Sequence, residues 1–201
     1  FTDRRQRQMC IRDSCRTPSG VSYMLENREI MMKMFPDLFH SNRVLRVDDY
    51  PTRLLQTLMS LAPKKCESSV PTVVLLTPGH LNSAYYEHTF LSDQMGIEMV
   101  EAQDLFVEND FLYMKTVDGP KKIDVVYRRI DDDYLDPLAY NPNSVIGVPG
   151  ITHVYKTGGV NICSAPGAGI ADDKAVYIYV PEMIKFYLGE TPILDNVQTW
   201  R

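Results

Sequence analysis

The residues best equipped for chemistry form one run, Arg128-Arg129-Ile130-Asp131-Asp132-Asp133, in which two guanidinium groups precede three carboxylates. A guanidinium meets a carboxylate or phosphate with two parallel N–H donors, so it is the natural holder of either. Consecutive carboxylates are costly unless an arginine, a cation or water offsets them, and hard oxygens of this kind suit Mg²⁺. Ile123 to Tyr127 reads as a buried strand feeding the run. Strand alternation sends Arg128 and Arg129 to opposite faces, so at most one of them lines a given cleft. The competing reading is a solvated strand end whose ion pairs contribute little.

Two further stretches qualify. Thr77-Pro78-Gly79-His80-Leu81-Asn82-Ser83 lies between a strand-like run and a helix-like one, where free helix N–H groups attract anions. Gly167-Ala168-Gly169-Ile170-Ala171-Asp172-Asp173-Lys174 combines small residues, which permit close backbone approach, with a lysine able to meet phosphate as a point charge. Neither stretch matches GxGxxG or GxxxxGK[ST], which disfavours a dinucleotide fold and a P-loop. An ordinary strand-to-helix connection and a flexible loop before a capped helix are the alternatives.

These groups need a frame. Val73–Leu76 suits a buried strand, Thr77 to His80 a turn, and the following helix, capped by Asn82 or Ser83, turns Tyr86, Phe90, Leu91 and Met95 inward and stops at Gly96. With a strand over Ile97 to Val100 this makes a right-handed βαβ unit. Leu105 to Val107 and Phe111 to Thr116, flanking Glu108-Asn109-Asp110, predict a hairpin. Upstream, apolar residues from Tyr23 to Phe35 recur at helical spacing with Ser22 as cap, and a second helix covers Pro51 to Leu61 behind Asp48 or Asp49. Downstream, the pattern predicts a helix over Gly150 to Tyr155, a strand over Val160 to Ser164, and helices from Asp172 and Pro181, the last ending at Gly189. The organisation is then a polar leader over residues 1–14, disordered or non-native, a helical segment over 15–62 and an α/β domain over 63–201.

The 201 residues carry 21 Lys and Arg against 26 Asp and Glu, a net charge of −5 that argues against a nucleic-acid surface. No apolar run approaches the roughly 20 residues of a membrane span. Cys10, Cys15, Cys66 and Cys163 lack both zinc-site pairing and the density of a disulfide scaffold, so reduced thiols in a cytoplasm are expected.

From Arg16 nearly to the end, the blocks resemble one family in content and order. They are Arg16-Thr17-Pro18-Ser19-Gly20 through Asn27-Arg28, Leu76 to Gly79 with Asn82 to His88, Tyr127 to Leu138, Gly147-Val148-Pro149-Gly150, Ala171 to Lys174 and Pro181 to Leu188. The sequence resembles the circularly permuted ATP-grasp family, related to glutathionylspermidine synthetases. The resemblance implies an α/β fold with a Rossmann-like pre-ATP-grasp βαβ core, a short hairpin and flanking helices. It implies a carboxylate–amine ligase that uses ATP and Mg²⁺ on small-molecule or peptide substrates, of which this chain is an incomplete fragment, inactive alone. By that analogy Arg128, Arg129 and Asp131 are catalytic, and Lys174, Ser19, Gly20, Asn82 and Ser83 bind the cofactor. Asp132 and Asp133 serve the metal, and Asn27 and Arg28 are secondary candidates. The alternative function is a non-catalytic α/β module that binds a small anion or a protein partner.

Overall fold

The computed structural model describes residues 19–193 and 196–198. The leader expected over residues 1–14 and the side chain of Lys174 lie outside the described residues. The chain divides into two compact units, one spanning 19–164 and one including 165 onward.

In the first unit, α1 (Val21–Met34), α2 (Pro36–Ser41) and α3 (Tyr50–Ser60) precede β1 (Val73–Leu76), α4 (Tyr85–Met95) and β2 (Glu98–Val100). The chain continues through β3 (Leu105–Glu108), β4 (Phe111–Thr116), β5 (Gly119–Ile123), β6 (Val125–Arg128), α5 (Asp132–Leu135), α6 (Ile151–Thr157) and β7 (Asn161–Cys163). A parallel sheet has the order β2-β1-β6-β7, and β3-β4-β5 form an antiparallel meander. β1 pairs with β2 at Val74↔Glu98 to Leu76↔Val100, which is the βαβ unit read from the sequence.

β1 is buried along its whole length, as a central parallel strand must be, and its β-branched and aliphatic side chains supply both faces. Val74, Leu76, Val126 and Ile162 pack with the meander residues Leu112 and Ile123 and with Ile151 and Val154 of α6. Val73, Leu75, Val125 and Tyr127 pack with Leu58 of α3 and Leu91 and Met95 of α4. Each fully buried aliphatic side chain contributes about 1.5–3 kcal/mol to holding these layers on the sheet.

Four local features differ from the sequence reading. Ile123 and Val125 belong to different sheets, because Asp124 turns between them and its carboxylate accepts the Thr72 N–H at 2.9 Å. β5, Gly-Pro-Lys-Lys-Ile, is polar because it is an outer strand, and polarity hid it. Gly20, at φ 94°, caps α1, and Ser22 lies inside the helix. In α4 the buried side carries Glu87 and His88 with Leu91, Ser92 and Met95, while Tyr86 is exposed.

The end of α6 offers a stability test. Gly158 closes the helix at φ 75°, and a Cβ there would meet open space. At Gly159 an added Cβ would run into the Asp110 carbonyl oxygen. Gly159→Ala should cost about 2–3 kcal/mol and Gly158→Ala about 1 kcal/mol in urea unfolding. Equal costs would show that the Asp110 turn moves aside freely.

In the second unit, a 3₁₀ turn over Ala168–Asp172 leads to α7 (Lys174–Tyr177) and α8 (Val180–Leu188). Asp173 caps α7 by accepting the Ala175 N–H at 2.8 Å, and Gly189 ends α8 in the left-handed region. Among the described residues, no helix is long and apolar enough to cross a membrane.

Candidate functional site

Because β1, β2, β6 and β7 are parallel, their carboxyl ends share one edge of the sheet, where open α/β folds bind ligands. The strand ends and loops at this edge carry Thr77 to Gly79, Glu101, Arg128 and Arg129, and Ser164.

The two arginines diverge as strand alternation requires, yet both are buried, at 0% and 4% exposure. Arg128 donates from Nε to the Ser164 carbonyl at 2.7 Å and from Nη1 to the Ile130 carbonyl at 2.7 Å, and pairs through Nη2 with Asp132 at 2.7 Å. Arg129, on the α4 side, pairs with Glu87 Oε1 at 2.8 Å and donates to the Tyr127 hydroxyl at 3.1 Å. Burying an ion is tolerable only with such partners, since desolvation costs several kcal/mol per charge.

Glu87 also accepts, at Oε2, the Gly20 N–H at 2.6 Å and the Ser22 hydroxyl at 3.0 Å. The α1 start is thereby held against the β6 end. Next to it, His88 Nδ1 meets Thr77 Oγ1 at 2.9 Å, and that oxygen also accepts the Gly79 N–H at 3.2 Å. Gly79 sits at φ 98°, and a Cβ there would press on the Glu101 carboxylate at 3.2 Å, so glycine is required on two counts. Asp136 is a third buried acid. Burial would raise its carboxyl, but the N–H groups of Thr152, Gly150 and Leu138 hold it below the usual carboxylate range.

Burial pushes the His88 imidazole down to about 4; Arg129 adds to the effect and Glu87 opposes it. An unfolded histidine titrates near 6.5, so the neutral ring favours the fold above that value. The stabilisation is lost as pH falls from about 6.5 toward 4, at a cost of roughly 1–3 kcal/mol. Thermal melts should decline over that window, and His88→Gln should flatten the decline. An unchanged slope in the variant would remove His88 as the cause.

Of the residues singled out from sequence, Gly20 and Arg129 meet through Glu87, and Arg128 meets Asp132. Ser19 is exposed beside Gly20, Asn82 accepts the Ala84 N–H at 2.9 Å through Oδ1, and Ser83 is exposed at the α4 start. Asp131 and Asp133 are exposed on either side of Asp132. Arg28 donates to the Leu45 carbonyl at 2.6 Å. Lys174 opens α7 in the other unit. Sequence reasoning gave no role to Glu87, His88 or Asp136; the burial of a polar side chain at a helix end has no periodic signature. Among the described residues no three His, Cys, Asp or Glu side chains converge into a metal-holding cluster. Both arginines are thus paired with carboxylates of the chain itself.

A family model described as a circularly permuted ATP-grasp matches residues 2–201. The chain belongs to this circularly permuted ATP-grasp family. It is 52% identical over 190 residues to an uncharacterized protein of Synechocystis, the match covering 94% of this chain and 39% of that protein. An uncharacterized Mycobacterium tuberculosis protein is 50% identical over 191 residues, 95% of this chain and 34% of its own length. A Frankia alni protein provisionally named glutamate–cysteine ligase 2-3 is 38% identical over 192 residues, 96% of this chain and 22% of its own. The chain thus spans well under half the length of these relatives. Its parallel sheet with an antiparallel meander is the mixed α/β architecture that suits an ATP-grasp-related fold.

Proposed function

We propose that this sequence is part of a longer cytoplasmic ligase that joins a small-molecule or peptide carboxylate to an amine with ATP and Mg²⁺. The observation that carries the reading is the match to an ATP-grasp family along almost the whole chain. The ligase name of the Frankia relative adds to it. The reaction class is one in which ATP activates the carboxylate and the amine then takes the place of phosphate. Lys174, Ser19, Gly20, Asn82 and Ser83 are assigned to the nucleotide side, and Asp132 and Asp133 to the metal. Asp131 acts with the substrate, and Arg128 and Arg129 shape the floor of the site from below. A nucleotide pocket then needs further walls from the longer polypeptide. A second reading, a non-catalytic anion- or protein-binding module, is favoured by the internal pairing of both arginines.

The test uses the full-length protein with Mg·ATP and paired acids and amines, glutamate with cysteine first. Phosphate release should require both an acid and an amine, and Lys174→Ala should reduce it about 10²–10³-fold, the loss of one charge contact in the transition state. Release that ignores Lys174, or none with any pair, supports the module.

A further inference from the structure

Glu87 and His88 stand in the first turn of α4, where a carboxylate and an imidazole are ordinarily solvated, yet each is 1% exposed. Both Glu87 oxygens are used in different directions. Oε2 takes the N–H of Gly20, the cap of α1, and the Ser22 hydroxyl in its first turn, and Oε1 takes the Arg129 guanidinium just past β6. His88 reaches the third segment, the turn after β1, through Thr77. One dipeptide therefore touches the three chain segments that surround the carboxyl edge of the sheet. An apolar pair of the same volume would fill this space with less desolvation. What a carboxylate adds is direction, since each of its oxygens fixes a donor at a named atom.

We propose that Glu87 is a positioning residue that holds the Ser19-Gly20 turn and the Arg129 guanidinium in fixed relation across the carboxyl edge of the sheet. What the turn then contacts, a nucleotide phosphate, rests on the ligase reading above. Both Glu87 oxygens are engaged by donors of the chain itself and the residue is buried, so Glu87 acts through the backbone it orients.

The experiment uses the full-length protein with Glu87→Ala and the isosteric Glu87→Gln, read at a temperature where each is folded. Backbone amide exchange at residues 20–24 reports the turn, and Mg·ATP titration reports the site. Glu87→Ala should speed exchange at these amides at least about tenfold more than in the sheet, and weaken Mg·ATP by about tenfold, 1.4 kcal/mol. Formate, which fits the vacated carboxylate position, should restore both, and chloride should not. Glu87→Gln, which keeps the shape but weakens the pairing with Arg129, should show the same localised change to a smaller extent, and it serves alone if Glu87→Ala does not fold. Exchange that rises uniformly, or not at all, overturns the proposal, as does a shifted turn with unchanged Mg·ATP affinity. Absence of Mg·ATP binding by the unaltered protein would sink the ligase reading, while local exchange and its rescue by formate would still decide what Glu87 positions.

Discussion

Arg128→Lys is expected to destabilise the fold by about 3–5 kcal/mol, with a melting point lower by roughly 10 °C. The sequence alone suggests a milder outcome, because one of two neighbouring arginines on a strand end should face solvent and tolerate lysine at about 0–1 kcal/mol. The structure leaves neither exposed. Arg128 spreads three donors over the Ser164 and Ile130 carbonyls and the Asp132 carboxylate, at 0% exposure. A lysine keeps the charge but ends in one ammonium, which cannot span three acceptors set by a planar fork. At least one carbonyl is then buried without a donor, and each such group costs about 1–3 kcal/mol. Ser164 and Asp132 lie at the ends of β7 and the start of α5, so the loss should appear as loosened loops at the carboxyl edge as well as in the melt. Urea unfolding measures it; a change below 1 kcal/mol would mean that water reaches Arg128.

What the sequence revealed follows the range of the forces involved. The βαβ unit was legible because Val73–Leu76, the Gly96 stop and the strand after it are local patterns, set by propensity and alternation. The hairpin was legible for the same reason, and Asn109 and Asp110 do adopt the left-handed backbone that a tight turn needs, at φ 49° and 63°. β5 was not, because an outer strand need not be apolar. Neither was the burial of Glu87, His88 and Asp136. Each is a polar residue whose burial depends on a donor or acceptor 11 to 67 residues away in sequence, Thr77, Arg129, Gly20 or Thr152. The arginines themselves were found from their chemistry, but their partners decide whether they meet a ligand or an internal acid. Only the fold supplies those partners.

The pair Arg129–Glu87 gives the second large effect, and its two members should not contribute independently. Arg129→Met should cost about 3–5 kcal/mol, since it strands a buried carboxylate at 1% exposure. Adding Glu87→Gln removes that charge while keeping an oxygen near Gly20 and Ser22. The double variant should therefore be destabilised by about 1–3 kcal/mol less than the sum of the singles, the coupling expected of contacting charges. Additive costs, within about 0.5 kcal/mol in urea unfolding, would mean that Arg129 acts only as volume between Tyr127 and α4.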